Sequence, residues 1–314
     1  MPEILLEDND GIARAVGLLR DGQLVALPTE TVYGLAADAS DGEAVARIFA
    51  AKDRPTFNPL IVHVAEMAQV EALAELNDIA RDLTSAFWPG PLTLVLPLRD
   101  AHGLSPLVSG GQSTVAVRMP AHPAMRAVLT AFGGPIAAPS ANPSGRISPT
   151  EAQHVVDGLG DNVAAILDGG SCEVGLESTI LAPGTPTILL REGGLPREAI
   201  EPLTGPLMSD TTPGTVRAPG QLSSHYAPGA AVVLGGPIPD AAVTIGFGPG
   251  KADLTLSESG DLIEAAANLF GTLHAADDLA KSRKASTIHV ADIPETGLGR
   301  AINDRLRRAA APRG

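Results

Sequence analysis

Short apolar runs recur along the first 200 residues of the chain, and segments with helical spacing separate them. Helices are predicted over 10–21, 41–52 and 122–132, with two acidic helices between 66 and 87. Strands are predicted over 23–27, 60–64, 92–96, 114–119, 136–138, 164–167, 178–181 and 187–190. Because the strands outnumber the helices and do not alternate strictly with them, the predicted fold class is α/β with a mixed, twisted open sheet rather than a doubly wound parallel sheet.

A change of pattern follows this region. Residues 205–229 are rich in Pro, Gly, Ser and Thr and have no apolar periodicity, which is typical of a linker. Beyond it, strands are predicted over 230–234, 242–247 and 286–290, and helices over 262–274 and 299–311. The predicted organisation is therefore a first domain over 1–204, a linker over 205–229 and a small α/β domain over 230–314.

Composition is consistent with two domains and narrows the class of protein. The chain has 314 residues, 44% of them hydrophobic but only 3% aromatic, so its cores must be mainly aliphatic. No apolar run reaches the roughly 18 residues that a membrane span needs, and no signal peptide is recognisable. Cys172 is the one cysteine, which excludes an internal disulfide, and we expect it to be a buried or idle thiol. The expected location is the cytoplasm.

The charge distribution excludes a large basic surface. The formal net charge is −14, with 12 Lys and Arg against 24 Asp and Glu in residues 1–200 and 10 against 12 in the remainder. Neither part has the basic field that holds nucleic acid through its phosphates, so no direct nucleic-acid binding is expected. A few converging cations can still dominate one cleft inside an acidic envelope, which leaves an anionic small molecule as the predicted ligand.

Scarce residues are concentrated in loops punctuated by Pro and Gly. Lys52 is the only lysine in the first 250 residues and lies two positions before Arg54, at the end of a predicted helix. The two tyrosines, Tyr33 and Tyr226, and the single Trp88 lie in similar loops. This placement indicates a site assembled from several loops, and a lysine at a helix end is not expected to belong to the core.

Further candidate residues lie at the ends of predicted strands. Arg118 and Arg191 each end a strand, where a guanidinium could bind phosphate or carboxylate with two parallel hydrogen bonds; taken singly, each could equally be a surface arginine. Ser140 and Asn142 share one face of a stiff loop if it is extended, and the alternative is a turn that satisfies its own backbone. His63, on an apolar strand, is more typical of a core histidine than of a catalyst. No P-loop, dinucleotide-binding glycine motif or histidine cluster for a metal is present.

Taken together, these segments resemble the Sua5/YrdC/TsaC family of L-threonylcarbamoyladenylate synthases. The matching stretches occur in family order: PTETVYGL at 28–35, KDRPTFNPL at 52–60 with His63, FWPGPLT at 87–93, VRMP at 117–120, PSANPSG at 139–145, STI at 178–180 and REG at 191–193. SSHYAP at 223–228 resembles the Sua5 interdomain linker, and GLGRAINDRL at 297–306 resembles the end of the Sua5 C-terminal domain. The two-domain Sua5 branch therefore fits better than the short YrdC/TsaC branch.

The resemblance implies a reaction in which L-threonine, bicarbonate and ATP give threonylcarbamoyl-AMP and pyrophosphate, with Mg²⁺ entering with ATP and no dedicated protein metal site. The product would pass to downstream transferases for the t6A modification of tRNA. The implied fold is a YrdC-like catalytic domain with a concave, positively charged cavity, followed by a Rossmann-like C-terminal domain. Lys52 and Arg54 are implied as catalytic cations. The implied ATP-binding residues are Lys52, Arg54, Asn58, Thr114, Ser140, Asn142, Ser148, Arg191 and Tyr226. The implied threonine-binding residues are Thr31, His63, Arg118, Ala138 and Ser178.

In this scheme Tyr226 reaches back from the linker as a lid over the nucleotide. Residues 221–224 (QLSS) depart from the Met-basic-Tyr stretch that is frequent in the family linker, so a phosphate contact from that basic residue is not expected here. Two alternatives stay open. One is a carbamoyl-adenylate-forming enzyme with another acceptor, although the chain lacks the cysteine-rich segments of such enzymes. The other is a non-catalytic module that binds double-stranded RNA, which the net charge disfavours.

Overall fold

The computed structural model describes residues 1–210 and 225–312. Its strands are β1 Glu3–Leu6, β2 Val25–Leu27, β3 Gly34–Asp38, β4 Ile61–His63, β5 Leu92–Pro97, β6 Thr114–Arg118, β7 Ile136–Ala137, β8 Ala165–Asp168, β9 Thr179–Ala182, β10 Ile188–Arg191, β11 Met208–Ser209, β12 Ala231–Leu234, β13 Val243–Gly246, β14 Leu254–Thr255 and β15 Thr287–Val290. Its α-helices are α1 Asn9–Arg20, α2 Gly42–Lys52, α3 Met67–Leu73, α4 Asp78–Phe87, α5 Pro106–Ser109, α6 Pro123–Phe132, α7 Ala152–Leu159, α8 Arg197–Thr204, α9 Leu262–Arg283 and α10 Gly299–Ala310.

The first region is built on one large mixed sheet. Within the described ranges its strand order is β1-β8-β2-β3-β7-β4-β6-β5-β9-β10-β11. Strand β4 runs parallel to β6, whereas β5 runs antiparallel to β6 and parallel to β9. The prediction of a mixed sheet is confirmed. Because neighbouring strands in space come from distant parts of the sequence, loops that are far apart along the chain meet at the same edge.

Helix α2 shows how a local signal positions a functional residue. The Asp41 side chain caps its N-terminus by accepting hydrogen bonds from the backbone N–H groups of Glu43 and Ala44. The helix ends at Lys52, and Asp53 takes a left-handed conformation with φ 51° that turns the chain away. The apolar face of the helix is buried, so the helix end is fixed against the sheet and carries Lys52 and Arg54 inward.

The second region has a sheet of four parallel strands, in the order β12-β15-β13-β14, packed with α9 and α10. Helix α9 extends to Arg283, beyond the predicted end at residue 274, because the following residues are good helix formers and the helix ends only at Lys284, with φ 56°. The prediction also missed β1, β3, β11, β14, α5, α7 and α8. Helix α8 and strand β11 lie in a stretch rich in Pro and Thr, and β11 pairs in parallel with β10. Much of the predicted linker, 211–224, lies outside the described residues, including the divergent 221–224.

The second region packs directly against the first. Val32, Ile147 and Leu176 of the first region belong to the same apolar cluster as the core around α9. Gly175 allows a close approach, because a Cβ at this position would lie 2.4 Å from the backbone oxygen of Ala267. Its φ of 69° also disfavours any other residue. In the described part of the chain, no helix is both long and apolar enough to cross a membrane.

Candidate functional site

A small polar cavity lies where the ends of several strands meet. Its volume is about 50 Å³. The residues that line it come from eight separate segments of the chain: Thr29, Thr31, Val32, Gly34, Arg54, Ile61, His63, Arg118, Ala138, Pro139, Ser140, Glu177, Ser178, Arg191, His225 and Tyr226. The structure therefore brings together many of the residues that the sequence singled out.

Sheet register explains how three of these positions come together. His63 on β4 lies opposite Arg118 on β6, and Arg118 lies opposite Thr93 on β5. Residues directly opposite one another in a sheet project to the same face. The Thr93 hydroxyl is in turn 2.7 Å from the hydroxyl of Ser178, which precedes β9. A row of polar side chains thus crosses three strands and reaches a fourth.

Arg118 is held by the segment before β3. Its Nη1 donates to the Thr31 hydroxyl at 2.8 Å, and its Nη2 lies 2.6 Å from Oε1 of Glu30, an ion-pair contact outside hydrogen-bond geometry. Burial alone would raise the pKa of Glu30, but the charge of Arg118, together with the backbone N–H of Ala121, outweighs burial and lowers the pKa. Glu30 is therefore an anion inside the protein, paired with the cation expected to bind the threonine carboxylate.

His63 and Ala138 complete this part of the cavity wall. His63 is buried, and burial together with the nearby Arg118 lowers its pKa to about 3, so the imidazole is neutral near pH 7. Its Nδ1 has no hydrogen-bond partner among the described residues. The Ala138 backbone N–H donates to the Ile61 carbonyl, which fixes the chain after β7 beside β4.

Two arginines line the neighbouring part of the cavity. Arg54 donates from Nη2 to the Pro59 carbonyl at 2.9 Å, and Arg191 donates from Nη2 to the Ser178 carbonyl at 2.8 Å. Burial lowers the pKa of each to about 10, and the charge of Arg191 contributes to the shift at Arg54. Together with Arg118, these buried arginines concentrate positive charge in one cavity, which favours an anionic ligand.

Lys52 does not line the cavity but lies beneath it. Its ammonium donates to the backbone carbonyl of Ser140 at 2.5 Å and to that of Asn142, and the side chain is only 2% exposed. The expectation that a lysine at the end of a helix lies outside the core is therefore wrong. The loop 139–145 folds over the end of α2, and burial, followed by the charge of Arg54, lowers the pKa of Lys52 well below its usual value.

The stiff loop gives different surroundings to its two polar side chains. Ser140 lines the cavity, whereas Asn142 is buried behind it and donates to the carbonyls of Pro143 and Arg146, both at 2.9 Å. Asn142 thus follows the alternative of a turn that satisfies its own backbone. Asn58 is also buried, its backbone carbonyl accepts a bond from Arg54, and its Oδ1 has no partner within the described ranges.

Two other predicted ATP-binding residues lie away from the cavity wall. Ser148 is fully buried and donates its hydroxyl hydrogen to Oε1 of Glu177 at 2.6 Å. Thr114 is half-buried at the start of β6. It lies on the same face as Arg118 but four residues earlier, about 13 Å along the strand.

Tyr226 closes the cavity from the second region. It is 1% exposed, lines the cavity with His225, and stacks on Phe270 of α9 with ring centroids 5.5 Å apart. Its φ of 63° lies in the left-handed region that residues other than glycine rarely adopt. A cavity of about 50 Å³ is far smaller than the roughly 300 Å³ or more of an ordinary ligand pocket. In this closed arrangement the cavity is therefore too small for a nucleotide.

Sequence reasoning missed two acidic residues of the site, Glu30 and Glu177. Both are buried and line or adjoin the cavity, and Glu177 is paired with Arg305 of α10 at 2.9 Å. The sequence carried a signal for both residues, because Glu30 lies inside the motif PTETVYGL and Glu177 directly precedes the motif STI. Neighbouring residues of both motifs are buried in the fold. Cys172 is buried as expected, and burial raises its pKa to about 12.

Comparisons with known families cover almost the whole chain. The Sua5/YciO/YrdC family model, described as "Telomere recombination", matches residues 17–193. A second model, described as "Threonylcarbamoyl-AMP synthase, C-terminal domain", matches residues 195–311. A threonylcarbamoyl-AMP synthase from Pyrococcus abyssi is 42% identical, covering 95% of this chain and 94% of its own length. One from Bacillus subtilis is 41% identical, covering 98% and 95%.

Solved structures agree with these matches. The crystal structure of P. abyssi Sua5 complexed with L-threonine superimposes with a TM-score of 0.89 at 40% identity, covering 99% of this chain and 97% of that one. The crystal structure of E. coli YciO, at 22% identity and a TM-score of 0.55 over 62% of this chain and 95% of that one, shares the fold of the first region. The chain therefore belongs to the Sua5/YrdC family, in the two-domain form that carries the Sua5 C-terminal domain.

Proposed function

We propose that this protein is a nucleotidyltransferase that makes threonylcarbamoyl-AMP and pyrophosphate from L-threonine, bicarbonate and ATP. One observation carries the proposal: Arg118, a buried arginine suited to an amino-acid carboxylate, lines the same cavity as Arg54 and Arg191, two further buried arginines suited to phosphate. Support comes from similarity over 99% of the chain to a Sua5 protein complexed with L-threonine and from the synthase relatives.

The threonine part of the proposed site is the wall formed by Arg118, Thr31 and His63. Arg118 would bind the substrate carboxylate and partly exchange its contact with Glu30 for it. The neutral His63 has a free Nδ1 among the described groups, and this atom suits the hydroxyl or amine of threonine. Ala138 and Ser178 would complete the amino-acid pocket.

The chemistry needs positioning and charge neutralisation more than a protein nucleophile. The threonine amine and bicarbonate first give a carbamate with loss of water, and a carbamate oxygen then attacks the α-phosphorus of ATP. The bond from that phosphorus to the bridging oxygen breaks, and pyrophosphate leaves. Cations held in a dry site stabilise the negative charge that develops. Cys172 is unsuited to covalent catalysis because its raised pKa keeps it a thiol.

The proposed nucleotide part has cations in two layers. Arg54 and Arg191 line the cavity and would contact the triphosphate directly, with the Ser140 hydroxyl beside them. Lys52 lies behind Ser140. It would act by holding the loop 139–145 in place and through its positive charge. Asn58, Asn142, Ser148 and Thr114 would support ATP only after rearrangement of the closed form. While Ser148 donates to Glu177, it can offer a ligand only lone pairs, which suits a ribose hydroxyl or a base amino group.

Mg²⁺ would enter with ATP in this scheme. The described residues include no group of three or more His, Cys, Asp or Glu that could hold a metal ion, and the two cavity carboxylates are each paired with an arginine. Phosphate oxygens of ATP and water molecules would therefore provide most of the Mg²⁺ ligands. We also propose a cytoplasmic location and delivery of the product to t6A transferases, which follow from the proposed reaction.

The test is pyrophosphate release by the purified protein, with threonine and bicarbonate each omitted in turn. The proposal expects release only when both are present with ATP and Mg²⁺. Pyrophosphate release that does not need threonine would indicate a different carbamate acceptor in place of threonine. ATP binding without release under any condition would contradict a synthase.

A further inference from the structure

Arg305 of α10 extends from the second region into the wall of the catalytic cavity. Its side chain is 0% exposed. Its Nε donates to Oε2 of Glu177 at 2.9 Å, and its Nη1 donates to Asp304 at 2.8 Å. Burial alone would lower the pKa of Arg305, but the surrounding oxygens of Tyr226, Glu177 and Asp304 raise it, so this side chain is a permanent cation.

Glu177 connects Arg305 to the catalytic domain. It lines the cavity, and its other oxygen accepts the hydroxyl of Ser148. Burial would raise the pKa of Glu177, but the charges of Arg305 and Arg191 outweigh it and keep the carboxylate ionised. The orientation of the Ser148 hydroxyl therefore depends on a carboxylate whose charge is stabilised from the other domain.

The same guanidinium also contacts the segment that closes the cavity. It lies 5.3 Å from the centroid of the Tyr226 ring, a distance typical of a cation–π contact. The backbone N–H of His225 donates to the carbonyl of Arg308, also on α10, at 3.2 Å. One helix of the second region thus touches both the cavity wall and the residues that cover it.

We propose that Arg305 is a positioning residue for ATP: the C-terminal domain supplies it to hold Glu177, and through Glu177 and Tyr226 the nucleotide half of the site. The inference rests on the proposed synthase function and adds a role for the second domain in catalysis. Arg305 acts through Glu177 and Tyr226, which line the cavity, rather than as a residue that handles the reacting atoms.

We expect loss of Arg305 to weaken the binding of ATP rather than the binding of threonine. Without Arg305, Glu177 becomes a buried carboxylate with less compensation that faces the proposed polyphosphate and repels it, and its Oε2 loses the contact that fixes the orientation of the carboxylate. The pair of Glu30 and Arg118 makes no hydrogen bond to α10 within residues 1–210 and 225–312, so the threonine part of the site stays assembled.

The test compares Arg305→Met, Glu177→Gln and the double variant with the wild type and with Arg307→Met. Arg307 lies two positions away on α10, is exposed and is paired with Glu295, so it is a matched control for loss of one arginine. We expect Arg305→Met to raise the KM for ATP about 30-fold or more, the low end of what breaking a buried charge pair costs, and the KM for threonine by no more than about threefold. Arg307→Met should match the wild type.

The double variant separates positioning from mere stability. If Arg305 acts through Glu177, then Arg305→Met with Glu177→Gln should bind ATP more tightly than Arg305→Met alone, because a neutral amide needs no counter-charge. Equal increases of both KM values in Arg305→Met, or additive losses in the double variant, would overturn the proposal. If Arg305→Met does not fold, Arg305→Lys replaces it: it retains the charge without the two-nitrogen fork, and an intermediate rise in the KM for ATP is expected.

Calorimetric titration with a non-hydrolysable ATP analogue keeps this result distinct from failure of the proposed function. A wild type that binds the analogue but makes no adenylate would remove the synthase assignment, whereas the dependence of the dissociation constant on Arg305 would still be measured. Unchanged analogue affinity in a folded Arg305→Met variant would overturn the role of Arg305, even if the wild type is an active synthase.

Discussion

The Glu30 carboxylate lies 2.6 Å from the Arg118 guanidinium, and both side chains are nearly buried. This pair joins the segment before β3 to the end of β6 in a cavity that closes over it. It explains how an arginine suited to a substrate carboxylate can be buried, because an internal carboxylate compensates its charge. A threonine carboxylate would share or replace Glu30 as the partner of Arg118.

This relationship predicts a selective effect of Arg118→Ala. The KM for threonine should rise by about 30-fold or more, since removing one partner of a buried charge pair costs roughly 2–5 kcal/mol. The KM for ATP should change much less, because the cations proposed to bind the nucleotide are Arg54 and Arg191. Steady-state kinetics with each substrate varied separately would measure both values.

Arg14→Ala is the control for this experiment, because Arg14 forms an exposed ion pair with Glu3 on the surface. It should leave both KM values unchanged. Equal increases of the two KM values in Arg118→Ala would indicate that Arg118 supports the whole cavity rather than the threonine carboxylate.

The burial of Lys52 predicts that Lys52→Ala affects both folding and catalysis. The ammonium joins α2 to the loop 139–145 through two backbone carbonyls, and removing it leaves a void and unpaired acceptors. We expect the free energy of unfolding to fall by about 2–4 kcal/mol, and adenylate synthesis to be strongly reduced. Urea denaturation and pyrophosphate release would measure the two effects.

Lys281→Ala is the comparison for Lys52→Ala, because Lys281 is largely exposed and pairs with Asp277 and Asp278. Its loss should change stability by no more than about 1 kcal/mol. Wild-type stability in Lys52→Ala would refute the bridging role that the geometry gives to this lysine.

The neutral state of His63 predicts a pH dependence of stability. Its folded-state pKa of about 3 lies below the ordinary value of 6.5, so below pH 6.5 the unfolded chain binds a proton that the folded protein does not. The contribution of His63 to the free energy of unfolding is therefore fully present above pH 6.5 and is lost as the pH falls toward 3. The expected slope is about 1.4 kcal/mol per pH unit for this histidine.

The matched variant is His63→Asn, which retains a polar side chain without a titration in this range. Urea denaturation at several pH values between 5 and 8 should show that the stability difference between wild type and variant is constant above pH 6.5 and shifts in favour of the variant below it. A difference that does not change with pH would mean that folding does not lower the pKa of His63.

Two glycines in one loop provide a test of the contact between the domains. Gly175 and Gly170 both have left-handed backbones, with φ of 69° and 75°. A Cβ at Gly175 would meet the backbone of α9, whereas a Cβ at Gly170 would meet nothing within 4 Å. Gly170→Ala should therefore cost only about 1 kcal/mol of backbone strain.

Gly175→Ala should cost more, because the added methyl pushes the loop before Glu177 away from the second domain. Thermal unfolding is expected to show a larger loss of stability than in Gly170→Ala, together with weaker adenylate synthesis. Equal behaviour of the two variants would mean that close packing at Gly175 does not hold the domains together.

Much of the fold could be predicted because its signals are local. The apolar runs that became β4, β5 and β6, and the apolar face of α2, are readable from neighbouring residues alone. Strand β3 was missed because its sequence, GLAAD, consists mostly of small residues without the branched side chains that indicate a strand. Its place in the sheet comes from pairing with β2 and β7, which the sequence pattern does not contain.

The site was predictable only in part for the same reason. Arg54, Arg118 and Arg191 stand out at the ends of helices and strands, and the structure brings them to one cavity. Glu177 and Arg305 are 128 residues apart, and their pairing depends on how the two domains pack. Likewise, Lys52 became buried because a loop almost 90 residues later covers it, which no pattern around position 52 records.

The most direct test of the proposed activity is to identify the product made from ¹³C-labelled bicarbonate, L-threonine and ATP. The account predicts a nucleotide with the mass of threonylcarbamoyl-AMP that carries one labelled carbon, formed together with pyrophosphate and absent when threonine is omitted. Pyrophosphate release with an unlabelled adenylate, or no adenylate from a protein that binds both substrates, would contradict it.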